Sequence, residues 1–310
     1  MESPIKAAYL FPGQGAQVVG MGKDLYDNFP SVRAIFDSAD RALGYLLSKI
    51  CFDGPEDELR QTLNAQPAIL TVSYACLVAA REANSDGSLP PASFVAGHSL
   101  GEYTALAAAG ALDFSTALKL ARERGRLMQE AGTKRPGSMA AVLGVEEVEL
   151  NNIAAEAGVV IGNANCPGQL VLSGDKDKVD KAMALVAARK GKAIPLAVSA
   201  AFHSPLMAPA IPGMEAAFAA ASFTKANIPI VANTTAVAVE TADDIKRELI
   251  SQITNCVQWQ KSIEFMIKNG VNTFIELGPG RVLTGMVKRI DRNVRVINIS
   301  DMKTIRIATS

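Results

Sequence analysis

Histidine, tryptophan and cysteine are scarce in this chain of 310 residues, which contains two histidines, one tryptophan and four cysteines. The cysteines are scattered, at Cys51, Cys76, Cys166 and Cys256, and form no C-x-x-C pair. Their spacing indicates neither a zinc site nor a disulfide framework. We therefore expect four free, mostly buried thiols in a protein of a reducing compartment.

An excess of charge of either sign is also absent, because 31 Lys and Arg residues balance 31 Asp and Glu residues. This balance removes the overall electrostatic basis for binding nucleic acid or an anionic membrane. The best apolar run, around Ala105–Leu112, is shorter than the ~18–20 residues that span a bilayer, and we do not expect residues 1–15 to form a signal peptide. We expect a cytoplasmic, monomeric protein that binds neither nucleic acid nor membrane.

Short apolar runs typical of strands alternate with helical segments through most of the chain. With 49% hydrophobic and 20% charged residues, the chain has enough apolar side chains for a large core. The alternation predicts an α/β fold with a largely parallel sheet. The predicted strands outside the middle of the chain are Ala7–Phe11, Phe94–Ala96, Ile228–Ala232, Thr273–Leu277 and Val294–Ile299, and a helix is predicted at Asp243–Thr254.

The middle of the chain shows a different order of elements, βαββαβ, which is the order of a ferredoxin-like split unit. We expect it to be a small domain, residues 133–199, inserted into a large domain formed by residues 1–132 and 200–310. Its predicted elements are Met139–Leu143, helix Glu146–Ala157, Val159–Ile161, Gln169–Leu172, helix Lys176–Arg189 and Lys192–Val198.

The segment Gly97-His98-Ser99-Leu100-Gly101 matches the G-x-S-x-G pattern of a nucleophile elbow. An apolar strand precedes it and a helix-forming run follows it, which is the context that the pattern requires. The elbow would direct the Ser99 hydroxyl into a cleft, where backbone N–H groups of the new helix stabilise negative charge. The alternative is that Ser99 is a structural turn residue.

Ser99 needs a base, and only His98 and His203 are available. His98 is adjacent to Ser99, so its side chain should diverge and pack beneath the turn. His203 lies where the small insertion returns to the large domain, and we predict that it is the base, although a satisfied buried histidine would also fit. No acid is assigned to a triad, since capping of helices accounts for the four candidates, Asp113, Asp175, Asp177 and Asp180.

Arg124 lies on the apolar face of a predicted helix, Ser115–Ala131. At ~100° per residue the other charged residues share one polar face, whereas Arg124 falls among alanine, leucine and methionine. A guanidinium in an apolar stripe is costly unless it is paired or binds an anion. Arg124 therefore either forms a structural ion pair or binds a substrate carboxylate through two hydrogen bonds.

The loop Gly13-Gln14-Gly15 follows a predicted strand but fits no phosphate-binding motif. The dinucleotide fingerprint needs glycine where Val18 stands, and a P-loop needs lysine where Met21 stands. In an elbow enzyme such a loop supplies an oxyanion-stabilising N–H group, and the backbone N–H of Gln14 suits that role.

Six sequence blocks together resemble the acyltransferases of fatty-acid and polyketide synthesis, of the malonyl-CoA:acyl carrier protein transacylase type. The blocks occur in the family's order and cover nearly the whole chain. They are Phe11–Gln17, Gly97–Tyr103, Arg124–Met128, Asn163–Gln169, Phe202–Met207 and Glu276–Gly280.

The resemblance implies a hydrolase-like large domain with a ferredoxin-like insertion, in agreement with the order of elements. It implies ping-pong transfer of malonyl from malonyl-CoA to holo acyl carrier protein, without a cofactor or metal ion. The implied roles are Ser99 as nucleophile, His203 as base, Arg124 as malonyl carboxylate anchor, Gln14 and Leu100 N–H as oxyanion hole, and Gln252 as the residue that orients the histidine. Phe202, directly before His203, is similar to the bulky residue at that position in malonyl-selective members of the family.

Two other functions remain open from the sequence. A serine esterase or thioesterase would use the same Ser99–His203 pair, and a non-catalytic scaffold would keep only the fold. The C-terminal part is locally basic, and we expect some of these residues to meet the acidic carrier protein or CoA phosphates, unless they form an ordinary solvated surface. They are Lys288, Arg289, Arg292, Arg295, Lys303 and Arg306.

Overall fold

A computed structural model describes residues 4–84, 89–198 and 200–308 of the chain. The predicted strands are confirmed, and Ala7–Phe11 and Thr273–Leu277 agree at both ends. In chain order the strands are β1 (Ala7–Phe11), β2 (Ala92–Gly97), β3 (Gly137–Leu143), β4 (Val160–Cys166), β5 (Gln169–Asp175), β6 (Lys192–Pro195), β7 (Ile230–Val231), β8 (Ala238–Val239), β9 (Thr273–Leu277) and β10 (Arg295–Ile299).

Helices connect and cover these strands, and a 3₁₀ helix at Pro205–Ala210 follows the second histidine. The α-helices are α1 (Lys23–Asn28), α2 (Pro30–Leu43), α3 (Leu47–Asp53), α4 (Glu56–Arg60), α5 (Thr62–Ala83), α6 (Gly101–Ala108), α7 (Phe114–Lys134), α8 (Glu147–Ala157), α9 (Lys176–Ala188), α10 (Ile211–Ala219), α11 (Ala242–Thr254), α12 (Trp259–Lys268), α13 (Val282–Ile290) and α14 (Met302–Ala308).

Two sheets organise the molecule, and the larger one has the order β10-β9-β1-β2-β7-β8. Neighbouring strands of this sheet pair in parallel, except that β7 and β8 pair antiparallel. The smaller sheet has the order β4-β5-β3-β6 with antiparallel neighbours throughout. The predicted α/β fold and the predicted βαββαβ order are therefore confirmed. Ser199, at the end of the predicted insertion, lies outside the described residues, as does the side chain of Arg306.

The register of the larger sheet determines which loops meet. Phe11 pairs with Gly97 in the parallel β1–β2 ladder, so the loops that follow these two strands leave the sheet at the same edge. Strand β7 pairs with the other side of β2, and the segment after β7 leaves at that edge too. Because ligands bind at the carboxyl ends of parallel strands, this edge is where a site is expected.

Helix α5 corrects the expectation that no apolar segment approaches membrane-spanning length. It has 22 residues and is long and apolar enough by length and composition alone, but most of it is buried inside the protein. It packs chiefly against α7 and α2, as a core helix does. Polar residues such as Asn64 and Thr71 interrupt the apolar run, so a search for an unbroken run misses it.

The two sheets are connected through the segment that follows α11. The N–H of Val257 donates to the carbonyl oxygen of Gly162 at 2.9 Å, and the N–H of Ala164 donates to the carbonyl oxygen of Val257 at 2.8 Å. These bonds extend β4 toward the larger sheet and fix the small sheet beside the edge described above. All four cysteines are free, and three of them are buried, as expected.

Candidate active site

The elbow geometry predicted at Ser99 is present. Strand β2 ends at Gly97, α6 begins at Gly101, and Ser99 between them has φ 51°, a left-handed conformation that is costly for a residue with a side chain. A Cβ on Gly97 would lie 1.8 Å from the carbonyl carbon of Gly101. Only glycine fits at that point of the turn, which explains the spacing of the motif.

The structure brings Ser99 and His203 together, with the Ser99 Oγ 2.8 Å from the His203 Nε2. The other ring nitrogen, Nδ1, lies 2.8 Å from the backbone carbonyl oxygen of Gln252. A carbonyl oxygen only accepts, so Nδ1 carries the proton and Nε2 is free to accept the serine proton. This is the tautomer that a general base requires.

His203 is buried, with only 3% of its surface exposed. Burial, and then the charge of the nearby Arg124, lowers the pKa of His203 to about 3. Both effects disfavour the imidazolium cation. The ring is therefore neutral over the physiological pH range, with Nε2 unprotonated.

None of the four candidate acids contacts His203 within the described part of the chain. The backbone carbonyl of Gln252 occupies the position that a carboxylate has in a hydrolase triad. Asp113 caps α7, accepting from the N–H of Thr116 at 2.9 Å, as expected. Asp175 precedes α9 but makes no side-chain cap hydrogen bond, and instead pairs with Lys178 at 2.9 Å. Capping therefore accounts for Asp113 but not for Asp175.

Arg124 is buried beside the nucleophile, with 1% of its surface exposed. Its Nη2 donates to the Ser99 Oγ at 3.0 Å and to the Gln252 Oε1 at 2.8 Å, and its Nη1 donates to the Gln66 Oε1 at 2.8 Å. Its Nε has no hydrogen-bond partner among the described residues. Within residues 4–84, 89–198 and 200–308 no carboxylate forms an ion pair with Arg124, so the structural ion pair considered above is not present there.

Gln66 is a site residue that the sequence reasoning missed. It lies in the first turns of α5, directly before Pro67, and is buried to 1% exposure. A polar side chain in an otherwise apolar helix was the available signal, because a buried amide needs a partner. Here the partner is the guanidinium of Arg124.

Gln252, which the resemblance assigns to orienting the histidine, contacts His203 through its backbone and not through its side chain. The side-chain Oε1 accepts from Arg124, while the Nε2 donates to the carbonyl oxygen of Ser99 at 3.1 Å and to the carboxylate of Glu102. One residue near the end of α11 therefore contacts the base, the nucleophile segment and the cation.

The N–H groups of Gln14 and Leu100 make no hydrogen bond to any other described residue. Close backbone packing holds the two loops that carry them together. A Cβ on Gly13 would lie 2.4 Å from the carbonyl oxygen of His98, and one on Gly101 would lie 2.1 Å from that of Phe11. The N–H of His98 also donates to the carbonyl oxygen of Phe11 at 3.0 Å.

Asn233 and Glu102 also support the elbow, and the sequence reasoning did not identify them. The Oδ1 of Asn233 accepts from the N–H of Ser99 at 2.7 Å, and its Nδ2 donates to the carbonyl oxygen of Gly97 at 2.7 Å. Glu102 accepts from the N–H of Asn233 at 3.1 Å. Burial, and then the nearby Glu248 carboxylate, raises the pKa of Glu102 well above its ordinary value.

His98 turns away from Ser99, as expected. Its Nε2 lies 2.9 Å from the Oδ1 of Asn165 on β4, and its ring centroid lies 5.4 Å from that of Trp259. The residue packs beneath the elbow and links it to the small sheet. No group of three or more His, Cys, Asp or Glu residues in the described ranges is placed to hold a metal ion.

An acyl transferase domain model matches residues 8–309, which is nearly the whole chain. The chain belongs to the acyl transferase domain family. It is an acyltransferase, and the resemblance drawn from the six sequence blocks is confirmed.

Proteins of malonyl transfer are prominent among its relatives. A malonyl CoA-acyl carrier protein transacylase of Bacillus subtilis is 44% identical over 309 residues, which cover 98% of this chain and 96% of the relative. The crystal structure of an acyl-carrier-protein S-malonyltransferase from Bartonella henselae superposes with a TM-score of 0.93 at 38% identity, covering 98% of both chains.

A third relative was solved together with its partner. It is a malonyl-transacylase in complex with its type II PKS acyl-carrier protein, with a TM-score of 0.93 at 37% identity, covering 98% of this chain and 99% of that chain.

Proposed function

We propose that this acyltransferase moves the malonyl group from malonyl-CoA to the phosphopantetheine thiol of holo acyl carrier protein. The product, malonyl-acyl carrier protein, is used in fatty-acid biosynthesis. The observation that carries the proposal is the buried guanidinium of Arg124, 3.0 Å from the nucleophilic oxygen of Ser99. A cation at this distance suits an acyl group that carries its own carboxylate close to the reacting carbonyl. The malonyl transferases among its relatives agree with this substrate.

In the first half-reaction the Ser99 Oγ attacks the thioester carbonyl while the Nε2 of His203 takes the hydroxyl proton. The oxyanion binds the free N–H groups of Gln14 and Leu100. The C–S bond then breaks, the CoA sulfur takes the proton from His203, and a malonyl ester remains on Ser99.

In the second half-reaction the thiol of the carrier protein attacks that ester. His203 takes the thiol proton, the same two N–H groups bind the oxyanion, and the bond between the acyl carbon and the Ser99 Oγ breaks. The proton returns from His203 to the serine oxygen. The two substrates use one site in turn, which is ping-pong transfer, and the steps use no cofactor and no metal ion.

The neighbouring residues position these groups. Arg124 holds the malonyl carboxylate, and Gln66 and Gln252 hold Arg124 through hydrogen bonds of 2.8 Å each. The backbone carbonyl of Gln252 orients His203, in place of the acid of a hydrolase triad. A neutral partner suffices here, because the imidazolium forms only transiently.

The proposed organisation follows from the two sheets. Residues 1–132 and 200–310 form a hydrolase-like large domain, and residues 133–199 form the inserted ferredoxin-like domain, whose strand order of β4-β5-β3-β6 with antiparallel neighbours supports that description. We place the enzyme in the cytoplasm and expect it to act as a monomer.

The test is intact-mass analysis of the enzyme after malonyl-CoA is added and again after holo carrier protein is added. We expect one malonyl group on the enzyme in the first spectrum and on the carrier protein in the second. Ser99→Ala should acquire no malonyl group, whereas Ser115→Ala, a serine in the first turn of α7, should behave as the wild type.

The other functions give different spectra. A thioesterase would lose the malonyl group to water at the same rate with and without carrier protein, and the carrier would stay unmodified. A scaffold would never acquire the group. Either result contradicts the proposed transfer.

A further inference from the structure

Glu102 has a fully buried carboxyl group that the steps above do not use. It lies in the first turn of α6, with 1% of its surface exposed. Its Oε1 accepts from the N–H of Asn233 at 3.1 Å, and its Oε2 accepts from the Nε2 of Gln252. It makes no direct hydrogen bond to Ser99 Oγ, His203 or Arg124 within the described residues.

The amide of Gln252 connects Glu102 to Arg124. Its Nε2 donates to the carboxylate on one side, and its Oε1 accepts from the guanidinium Nη2 at 2.8 Å on the other. The two ends of an amide are not equivalent, since one only donates and the other only accepts. If the amide were rotated by 180°, its NH2 group would face the donor Nη2 of Arg124. Its oxygen would then face the accepting oxygen of Glu102. The accepting oxygen of Glu102 therefore favours the orientation in which the amide oxygen faces the cation, together with the carbonyl oxygen of Ser99, which accepts from the same Nε2 at 3.1 Å.

We propose that Glu102 is a positioning residue for Arg124, because its carboxylate fixes the Gln252 amide with the oxygen toward the guanidinium and so determines where the malonyl carboxylate is held. The inference rests on the proposed role of Arg124 as carboxylate anchor. It predicts that removing the carboxylate lowers selectivity between acyl groups and not merely the rate.

The experiment compares kcat/KM for malonyl-CoA with kcat/KM for acetyl-CoA. Acetyl lacks a carboxylate, so the ratio reports the placement of Arg124, while a general loss of structure lowers both terms. For Glu102→Ala we expect the malonyl-to-acetyl ratio to fall by about tenfold, the order expected for one misplaced charge-assisted hydrogen bond. Glu102→Met keeps the side-chain length without an acceptor and gives the same test if the alanine variant does not fold.

The conservative variant separates orientation from charge. Glu102→Gln keeps one acceptor oxygen for its two donors, the N–H of Asn233 and the Nε2 of Gln252. With that oxygen toward Gln252, the ratio should stay within about threefold of wild type, since the fixed amide is what matters.

A double-mutant cycle tests the route through Arg124. Once Arg124 is alanine, the amide has no guanidinium to orient, so Glu102→Ala combined with Arg124→Ala should have the ratio of Arg124→Ala alone. If the two effects on the ratio multiply, Glu102 acts independently of Arg124 and the inference is wrong.

Glu276 is the matched control, since it is also a fully buried glutamate. It accepts from the N–H groups of Leu283 and Thr284 at the start of α13, so Glu276→Ala should lower the melting temperature and keep the ratio. If Arg124→Ala itself leaves the ratio unchanged, the proposed function fails. If Arg124→Ala lowers the ratio and Glu102→Ala does not, only the present inference fails.

Discussion

Ser99 and His203 share a left-handed backbone conformation, with φ 51° and 58°, and only two other non-glycine residues in the described ranges, Lys190 and Ala236, have a positive φ. Such a conformation persists only where the surrounding structure imposes it. Around Ser99 the imposing contacts are the flanking glycines and the hydrogen bond from its N–H to Asn233. The serine's conformation was implicit in the sequence motif, whereas the sequence contains no comparable signal for His203.

The depressed pKa of His203 predicts how acylation depends on pH. Burial, and then Arg124, lowers this pKa to about 3, so the ring stays a base as the pH falls through 6 and 5. The rate of malonyl-Ser99 formation in a single turnover should fall less than about threefold between pH 7.5 and pH 5, whereas a histidine with its ordinary pKa near 6.5 predicts a fall of about thirtyfold.

The same shift makes a prediction about stability. The folded pKa lies below the unfolded one, so the unfolded state binds more protons between pH of about 3 and about 6.5, and the free energy of unfolding falls as the pH falls through that window. Denaturant titrations should show a smaller pH dependence for His203→Gln. An unchanged slope would mean that the folded pKa is not depressed.

Arg124 should determine the preference for malonyl. Arg124→Ala removes the only guanidinium that contacts Ser99 among the described residues, and we expect kcat/KM for malonyl-CoA to fall at least about tenfold to a hundredfold further than for acetyl-CoA. Steady-state kinetics with both thioesters measure the difference. Arg126→Ala, on the exposed face of the same helix, should leave both values unchanged, and equal losses in Arg124→Ala would argue against a carboxylate anchor.

The chemistry of single residues explains which parts of the site were predictable. Ser99, His203 and Arg124 carried their own signals: a motif, a scarce residue type and a charge on an apolar face. Gln66, Asn233 and Glu102 come from separate elements and act through pairwise hydrogen bonds. Their importance depends on how α5, α6 and the segment after β7 pack together, which no local pattern specifies.

At the scale of elements, the loop after β9 supports the loop after β1. A Cβ on Gly278 would lie 2.3 Å from the Ser73 Oγ and 2.7 Å from the Pro12 Cγ, and Gly278 has φ 143°. Gln14 is two residues beyond Pro12 in the same loop. Gly278 therefore lets the β9 loop approach closely enough to hold Pro12, and with it the proposed oxyanion N–H.

Gly278→Ala should therefore impair both half-reactions. The new methyl group must displace Pro12, and misplacing one oxyanion donor costs about 10²–10³ in kcat. Gly285→Ala is the matched control in α13, where an added Cβ meets nothing within 4 Å, and it should keep full activity and gain about 0.5–1 kcal/mol in stability. Thermal melts with turnover assays measure both variants, and a fully active Gly278→Ala would show that the β9 loop does not hold the oxyanion loop.

The elements themselves were largely predictable because the strands are apolar runs bounded by glycine and proline. Predicted bounds failed where tertiary contacts decide them. Strand β4 runs to Cys166 instead of ending near residue 161, because β5 and the Val257 segment pair with it. Strand β8 has only two residues and exists through its pairing with β7.

At the scale of the whole molecule, Arg289 links helix α13 to the small sheet at the surface. From the end of α13 its Nη2 donates to the carbonyl oxygen of Pro167 at 2.9 Å, in the turn between β4 and β5. Lys288 beside it is engaged with its own loop, donating to the carbonyl oxygen of Val294 at 2.6 Å. Both side chains are exposed, and Arg289 is the one that lies beside the turn of the small sheet, so we choose it to test contact with an acidic carrier protein.

Arg289→Glu should raise KM for holo carrier protein about tenfold at low salt, since like charges now meet across the interface. Acylation by malonyl-CoA should be unchanged, and Lys119→Glu on α7 provides the same charge change at another exposed position. Separate assays of the two half-reactions decide the matter. If only acylation slows, Arg289 meets the CoA phosphates, and if neither changes, the basic surface is merely solvated.

The single tryptophan of the chain lies where it can report on catalysis. Trp259 is fully buried, and its indole packs 5.4 Å from the His98 ring beneath the nucleophile turn. Its fluorescence emission consequently comes from a single environment, in contact with the residue that precedes Ser99. Stopped-flow fluorescence can therefore follow this turn during acyl loading without any attached label.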